Sequence, residues 1–211
     1  MDNPVIIFGA GTLGKIALDI FNENNVLIYG ILDDKVELHN TEIGTVMIMG
    51  ATDDAGILKI IGKKTEAFVA VKNQADRKSL AEMLNTKRKT MPINAIHKSA
   101  VVSEEAVIGH GNLIAANTVV GPFAKIGNLN ILGTSVVLDA EAEIGNYVEI
   151  GSGSVISSEA KIEEGAFLGS NVTVVSGITI GKNARVGAGS VVIENVAENA
   201  TFFGNPAKAI G

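Results

Sequence analysis

The chain contains no cysteine and no tryptophan, and only four of its 211 residues are proline. Without cysteine it forms neither disulfides nor a thiolate nucleophile, which fits a reducing compartment. Aromatic residues make up only 4% of the chain, whereas 46% is hydrophobic, so we expect a narrow aliphatic interior. This composition is typical of a globular protein with one or two domains.

The sequence also lacks long basic or apolar runs. The net charge is −6, and the short basic cluster 87–89 is typical of a solvated helix end, so we expect no nucleic-acid partner. No apolar stretch approaches about 18 residues and no cationic leader precedes the first strand, which predicts a cytoplasmic protein without membrane insertion. The three histidines lie far apart, so we expect no metal site.

A six-residue repeat occupies the second half of the sequence. Seventeen consecutive repeats run from Ile96 to Ala197 without insertion or deletion, and each begins with Ile, Val or Leu. The fifth residue of each repeat is nearly always small or β-branched. The leading residues are Ile96, Val102, Ile108, Ile114, Val120, Ile126, Leu132, Leu138, Ile144, Ile150, Ile156, Ile162, Leu168, Val174, Ile180, Val186 and Val192.

Such hexapeptide repeats are a signature of the parallel β-helix. Three repeats per coil form a triangular prism, in which the leading side chains stack inward and the small fifth residues fit beside them. At a strand spacing of about 4.8 Å, the five to six coils make a prism roughly 27 Å tall. We therefore predict an all-β left-handed parallel β-helix over 91–197, followed by a C-terminal tail at 198–211.

The first ninety residues contain a glycine-rich segment between a predicted strand at 4–8 and a predicted helix at 15–22. This segment, 9–14, reads Gly-Ala-Gly-Thr-Leu-Gly. Its glycines allow a tight turn, and the helix N-terminus offers free N–H groups to a phosphate. A second predicted strand, 26–32, ends in Asp33 and Asp34, and a carboxylate at this place can accept hydrogen bonds from a ribose.

The rest of this region alternates strand and helix, as a parallel sheet requires. The predicted elements are a strand at 45–49, a helix at 53–61, a strand at 67–71 and a helix at 75–86. We therefore predict an α/β, Rossmann-like nucleotide-binding domain over 1–90. The alternative, that the glycines serve only a tight turn, stays open.

The combination resembles the bacterial sialic acid O-acetyltransferase and UDP-amino-sugar N-acetyltransferase family over essentially the whole chain. Its marks are the glycine loop at 9–14, Asp-Asp-Lys at 33–35, Asn-Ala-Ile-His at 94–97, the repeat and the final Gly-Asn-Pro-Ala-Lys at 204–208. The resemblance implies acetyl-CoA-dependent N- or O-acetylation of a nucleotide-linked sugar in bacterial glycan or surface-polysaccharide biosynthesis. It also implies a homotrimer with acetyl-CoA between adjacent prisms.

The resemblance further implies which residues contact the two substrates. The nucleotide-linked sugar would contact Gly11, Thr12, Leu13, Asp33 and Asp34. Acetyl-CoA would contact Glu149, Ser170 and Ala188, the last two mainly through their backbone.

The family's catalytic histidine is missing from the matching repeat. Its position holds Ala140, and the acidic residue that follows the histidine in the family is retained as Glu141. A second family histidine, which contacts the coenzyme, is replaced by Glu149. An acceptor that attacks a thioester must lose a proton, and a placed general base contributes about 10² to 10⁴ in rate.

Several replacements for this base stay open. Glu141 is the leading catalytic candidate and Glu149 the second, although a carboxylate is a good base at neutral pH only where burial raises its basicity. His110 lies on another face of the prism, so only a neighbouring subunit could bring it close. His97 also lies on another face, and both positions are more typical of surface residues. His39 lies near the nucleotide loop and is a candidate ligand contact.

Binding alone can also accelerate transfer, because it brings two reactants together in the right orientation. A second hypothesis is therefore a non-catalytic trimer that binds nucleotide or acyl-CoA. A nicotinamide-dependent oxidoreductase is disfavoured, because the first domain has no room for a second mononucleotide half.

Overall fold

The computed structural model describes residues 3–210. The chain divides into two compact units between Lys98 and Ser99, called here the N-terminal unit and the prism. The boundary predicted at residues 90 and 91 lies earlier, because the segment after the last helix still packs on the first sheet: the Ile93 N–H donates to the Ala67 carbonyl over 2.9 Å.

The N-terminal unit is a five-stranded sheet with helices along it. Its elements are β1 (Val5–Phe8), α1 (Thr12–Glu23), β2 (Ile28–Leu32), a 3₁₀ turn (Val36–Leu38), β3 (Glu42–Ile43), β4 (Val46–Gly50), α2 (Ala55–Leu58), β5 (Glu66–Val69), α3 (Gln74–Arg88) and β6 (Ala95–Ile96). The sheet order is β3-β4-β2-β1-β5, and all pairs are parallel except β3 with β4. The predicted α/β fold class of this region is confirmed.

Apolar side chains cover both faces of this sheet, since parallel strands are buried on two sides. On one face Ile6, Phe8 and Leu84 belong to a single buried cluster. On the other, Phe21 of α1 meets Phe68 edge to face, with ring centroids 5.7 Å apart.

The helix predicted at 53–61 is shorter in the structure. Asp54 caps α2 by accepting from the N–H groups of Gly56 and Ile57. After a single turn, Ile61 leaves the helix to form a bridge with Thr65, and Gly62 adopts a φ of +74°. The tight turn overrides the helical pattern of the sequence.

The prism consists of two-residue strands, each formed by a leading residue and the residue before it. They are β7 (Val101–Val102), β8 (Val107–Ile108), β9 (Leu113–Ile114), β10 (Val119–Val120), β11 (Lys125–Ile126), β12 (Ile131–Leu132), β13 (Val137–Leu138), β14 (Glu143–Ile144), β15 (Glu149–Ile150), β16 (Val155–Ile156), β17 (Lys161–Ile162), β18 (Phe167–Leu168), β19 (Thr173–Val174), β20 (Thr179–Ile180), β21 (Arg185–Val186) and β22 (Val191–Val192). The predicted β-helix is confirmed.

Every third strand stacks in parallel, which gives three faces. Face 1 contains β7, β10, β13, β16, β19 and β22; face 2 contains β8, β11, β14, β17 and β20; face 3 contains β9, β12, β15, β18 and β21. From Ile114 onward every leading side chain is buried. The three edges where the chain turns from face to face therefore carry the exposed residues that can meet a ligand.

Two interior positions depart from the predicted small or β-branched pattern. Asn112 and Asn130 are fully buried at fifth positions. The Asn112 amide donates to the Gly127 carbonyl, and its oxygen accepts from the Asn130 N–H; the Asn130 oxygen accepts from the Val148 N–H. These side chains pair backbone groups that would otherwise be buried without partners.

The last coil is covered by a hairpin within the predicted tail. It consists of β23 (Thr201–Gly204) and β24 (Ala207–Ala209), which pair antiparallel. β23 continues face 3 in parallel with β21. Such capping protects the end of a repeat stack. None of the described helices combines the length and apolar character needed to cross a bilayer.

Candidate active site

The glycine loop lies at the carboxyl end of β1, where α1 begins. Gly9 has a φ of +113°, and a Cβ there would lie 2.7 Å from the Ala70 carbonyl oxygen. A Cβ on Gly14 would lie 2.0 Å from the Gly9 oxygen. These two glycines are thus required by packing. Gly11 has nothing within 4 Å of its missing Cβ, so its side is open to a ligand.

The N-terminus of α1 is available for an anion. Gly11 is the N-cap and forms no side-chain cap hydrogen bond, and Gly11 and Thr12 are exposed while Leu13 is half-buried. The free N–H groups of this first turn and the helix dipole favour a phosphate. The structure therefore brings three of the predicted nucleotide contacts together.

Asp33 holds the glycine loop in place. Its carboxylate accepts from the Ala10 N–H over 2.8 Å and from the Lys35 N–H over 3.0 Å. His39 contacts the Asp33 carbonyl oxygen through Nε2 over 2.8 Å. The predicted ligand carboxylate is therefore also part of the support of the loop, which sequence spacing does not reveal.

Asp34 is tied to the next strand end. One of its carboxylate oxygens accepts from both the N–H and the hydroxyl of Thr52, each over 2.8 Å. Asp34 is exposed, and within residues 3–210 its other carboxylate oxygen accepts no hydrogen bond. Thr52 follows β4 and is absent from the sequence-based set of site residues, because no motif marks it.

In the prism, a column of glycines lies along the edge between faces 3 and 1. We call this the glycine edge and define it by Gly133, Gly151, Gly169 and Gly187 with the residues stacked on them, Ser152, Ser170, Ala188 and Phe203. A Cβ on Gly151 would lie 2.4 Å from the Ser170 nitrogen, and one on Gly169 would lie 2.6 Å from the Ala188 nitrogen. Only glycine lets the coils stack so closely here.

The glycine edge presents unpaired donors. In the described part of the chain, neither the Ser170 N–H nor the Ala188 N–H forms a hydrogen bond, and both residues are exposed. Two free N–H groups in successive coils can pair with the amide carbonyls of an extended ligand. The structure therefore places Ser170 and Ala188 together, as the resemblance implies.

Glu149, the third predicted coenzyme contact, lies on face 3 instead of the glycine edge. It is half-buried on β15, with Ile131 and Phe167 as neighbours on adjacent strands. The Arg185 guanidinium lies over the Phe167 ring, 4.5 Å from its centroid. Beyond Glu149, face 3 thus carries a stacked aromatic and cation pair.

Ala140 lies on the edge between faces 1 and 2, on a turn that we call the alanine turn, 139–141. The Asp139 carboxylate accepts from the Ala140 N–H over 2.8 Å and from the Ser158 hydroxyl over 2.9 Å. These two hydrogen bonds, of which the one from the Ala140 N–H has the larger effect, hold the pKa of the Asp139 carboxyl below its ordinary value. Asp139 is therefore a weak proton acceptor.

Glu141 occupies a left-handed position of this turn, with a φ of +61°, and is exposed. It lines an open depression together with Phe123, Lys125, Glu143, Glu159, Lys161 and Gly177. Glu143 pairs with Lys125 at 3.0 Å and Lys161 at 3.4 Å, which lowers its pKa. Within 3–210, the Glu141 side chain forms no hydrogen bond or ion pair, so it is the unengaged carboxylate beside Ala140.

The histidines do not gather at this turn. His110 is exposed on the edge between faces 2 and 3, where its backbone N–H donates to the Asn128 side-chain oxygen over 2.8 Å. His97 belongs to the N-terminal unit, and His39 supports the region after Asp33. No group of three or more potential metal ligands occurs among the described residues.

Two family descriptions match separate parts of the chain. Residues 4–84 match the PglD N-terminal domain, and residues 159–194 match the bacterial transferase hexapeptide repeats. The fold and these matches define a hexapeptide-repeat protein with a PglD-type N-terminal domain.

One curated relative is a sugar acetyltransferase. The chain is 34% identical over 113 residues to UDP-N-acetylbacillosamine N-acetyltransferase of Bacillus subtilis (strain 168). The match covers 53% of this chain and 51% of that relative, so the chain spans about half the length of the curated relative it matches.

Solved structures match over the full length. PerB from Caulobacter crescentus, in complex with CoA and GDP-perosamine, is 28% identical with a TM-score of 0.87, covering 100% of this chain and 99% of that chain. A histidine-to-alanine variant of this GDP-perosamine N-acetyltransferase was also solved with both ligands. The acetyltransferase domain of PglB from Neisseria gonorrhoeae, with acetyl coenzyme A, shares the fold at 24% identity and a TM-score of 0.89 over both full chains.

The family resemblance expected from the motifs is therefore confirmed. This chain is therefore similar to sugar acetyltransferases, and it combines a match to the PglD N-terminal domain with a match to bacterial transferase hexapeptide repeats.

Proposed function

We propose that the protein is an acetyl-CoA-dependent N- or O-acetyltransferase that acts on a nucleotide-linked sugar in bacterial glycan or surface-polysaccharide biosynthesis. The observation that carries this proposal is the full-length match to a protein solved with CoA and GDP-perosamine. Both substrate classes are cytoplasmic metabolites, so we place the reaction in the cytoplasm.

The N-terminal unit binds the nucleotide of the acceptor in this proposal. The open side of Gly11 and the first-turn N–H groups of Thr12 and Leu13 receive the phosphates. Asp33 fixes the loop, and its remaining lone pairs, with those of Asp34, accept from the nucleoside.

The glycine edge binds the acyl donor. An extended CoA arm fits a column without side chains, and the N–H groups of Ser170 and Ala188 supply its polar contacts. Glu149 on the adjoining face contacts the donor where the family has a histidine. CoA supplies the activated thioester, and the protein orients it.

Transfer takes place at the alanine turn. The acceptor nitrogen or oxygen attacks the thioester carbonyl, loses a proton, and the CoA thiolate leaves. Of the two carboxylates that flank Ala140, Asp139 is held anionic by its hydrogen bonds, whereas Glu141 has no competing partner. Glu141 is therefore the available proton acceptor in this proposal. Because Glu141 is exposed, it lacks the burial that favours a carboxylate as a base, and orientation supplies the larger share of the rate.

Assembly as a homotrimer brings together the glycine edge, which binds the acyl donor, and the alanine turn, where transfer takes place. The glycine edge borders face 1 on one side and the alanine turn borders it on the other, so one protomer keeps them apart. The outward side chains of face 1 are Val101, Val119, Val137, Val155, Thr173 and Val191. Packing this apolar face around a threefold axis brings the glycine edge of one protomer to the alanine turn of the next.

Single-turnover incubation with acetyl-CoA and a panel of UDP- and GDP-linked amino sugars tests the proposal. We expect one acceptor to become acetylated, and mass spectrometry assigns the site. Calorimetry measures binding of CoA and of each nucleotide sugar separately. If both ligands bind and no acceptor is acetylated at any enzyme concentration, the transferase proposal is wrong.

Ala140 favours a second candidate, a non-catalytic trimer that binds the same ligands. The histidine-to-alanine variant of the Caulobacter crescentus relative retains both CoA and GDP-perosamine, so the loss of an imidazole is compatible with full ligand binding. Acetylation by the unmodified chain would exclude this candidate.

A further inference from the structure

The glycine edge ends in an aromatic ring. In three successive coils, Gly133, Gly151 and Gly169 pack against a small residue of the next coil. Gly187 instead packs against Phe203, and a Cβ on Gly187 would lie 2.2 Å from the Phe203 Cδ2. The column of Ser170 and Ala188 therefore continues into a phenyl ring at the end of the prism.

The strand that carries the ring is held in place, but the ring itself is not covered. This strand is fixed on both sides of Phe203. The preceding residue, Phe202, pairs with Val186, and the N–H of the following residue, Gly204, donates to the Ser190 hydroxyl over 3.1 Å. Phe203 is nevertheless 56% exposed. Burial of its own side chain therefore gives only part of the stabilisation that a phenyl ring can supply.

We propose that Phe203 stacks on the adenine ring of the CoA donor and so selects for the nucleotide end of that substrate. This inference rests on the proposed function, which places the donor along Ser170 and Ala188. A donor extended along that column has its adenosine at one end, and Phe203 lies one coil of about 4.8 Å beyond Ala188.

The chemistry of a phenyl ring suits this role. A base stacks on an aromatic side chain through its π face, which is worth about 1–3 kcal/mol and needs no hydrogen bond. The strand that carries the ring is already fixed by its pairing, so its backbone has little conformational entropy to lose on binding. An aliphatic residue would cover Gly187 equally well, so a packing role and a stacking role predict different outcomes.

Calorimetric titration with two ligands tests the inference. CoA contains the adenosine, whereas 4′-phosphopantetheine lacks it. Relative to the wild-type protein, we expect Phe203→Leu to weaken CoA binding by about 5- to 100-fold and to leave 4′-phosphopantetheine binding unchanged. Phe203→Tyr keeps the π face and should bind CoA as the wild type does.

Val107→Ala is the matched control, because Val107 is 65% exposed on face 2 and lies outside both the glycine edge and the alanine turn. It should bind CoA as the wild type does. Equal CoA affinity of Phe203→Leu and wild type, or an equal loss for both ligands, would overturn the stacking role alone. Absence of CoA binding to the wild-type protein would overturn the proposed function together with it.

Discussion

At the scale of single residues, the two carboxylates of the alanine turn, Asp139 and Glu141, differ in their hydrogen-bond partners. Asp139 is engaged by the Ala140 N–H and the Ser158 hydroxyl, whereas the Glu141 side chain extends into an open depression. A histidine at position 140 would stand between them. The turn therefore retains the acidic surroundings that support an imidazolium, but not the imidazole.

Restoring the imidazole tests whether a base limits the reaction. We expect Ala140→His to raise kcat by about 10² to 10⁴ over the unmodified protein and to introduce a pH dependence near about 6.5. Ala140→Gln is the control, because it adds similar bulk without a proton acceptor. Equal kcat values for the two variants would show that proton removal does not limit transfer.

The hydrogen bond from Ser158 predicts a pH-dependent contribution to stability. Ser158→Ala should raise the pKa of Asp139 toward its ordinary value, but not fully, because the Ala140 N–H remains. Since the folded pKa is lowered, the stabilisation is present above the unfolded pKa of about 3.9 and is lost as the pH falls through the folded pKa.

NMR titration of the Asp139 carboxyl measures this shift, and urea unfolding at neutral and acid pH measures its effect on stability. The destabilisation by Ser158→Ala should shrink at the acid end. Ser176→Ala, at the same place one coil further, is the control and should leave the Asp139 titration unchanged. A pKa of Asp139 that stays at the wild-type value in Ser158→Ala would contradict the assignment.

At the scale of elements, the turns of the prism use glycine for two different reasons. Gly169 has no room for a Cβ, since one would lie 2.6 Å from the Ala188 nitrogen. Gly189 has open space but a φ of +71°. The same conformation is adopted by Asn171 and Asn183 in neighbouring turns, because asparagine tolerates the left-handed region.

This difference predicts unequal costs for two substitutions. Gly169→Ala should lower the free energy of unfolding by about 1–3 kcal/mol, because two coils must separate. Gly189→Asn should change it by less than about 0.5 kcal/mol. Urea denaturation measures both values, and CoA binding should fall only in Gly169→Ala, where the Ala188 N–H is displaced. Similar unfolding energies for the two variants would refute the packing explanation.

The repeat made the strands of the prism predictable, since each strand falls on a leading residue and the residue before it. The N-terminal unit was harder to predict. β3 and the end of α2 depend on tertiary hydrogen bonds, such as those that the Arg88 guanidinium donates to the Ile61 carbonyl, which leave no periodic trace. The interior Asn112 escaped the pattern because its partners are backbone groups of a neighbouring strand.

In the candidate site, too, some residues could be placed from the sequence, whereas others are brought together only by folding. Ser170 and Ala188 could be placed on one edge because the register has no gaps, and the structure stacks them in successive coils. The support of the glycine loop by Asp33, the contact of Asp34 with Thr52 and the ring of Phe203 over Gly187 were not predicted. Each joins residues whose proximity follows from folding, not from spacing.

At the scale of the whole molecule, the proposed chemistry needs more than one chain. Face 1 separates the glycine edge from the alanine turn, and its outward residues are mostly valine. Val155→Glu should place a charge in the proposed trimer interface and shift the protein to monomers in sedimentation analysis. Thr179→Glu places the same charge on face 2 and should leave the assembly unchanged.

A mixing experiment tests whether neighbouring subunits share each site. Ser170→Trp fills the glycine edge, and Ala140→Trp fills the alanine turn, so each homotrimer should lose most of its activity. In trimers assembled from equal amounts of both variants, about a quarter of the sites join an intact glycine edge to an intact alanine turn of the next subunit. We therefore expect recovery of about a quarter of wild-type activity on co-expression. If both functions came from one protomer, every site would contain a defect, and the mixture would be no more active than its parents.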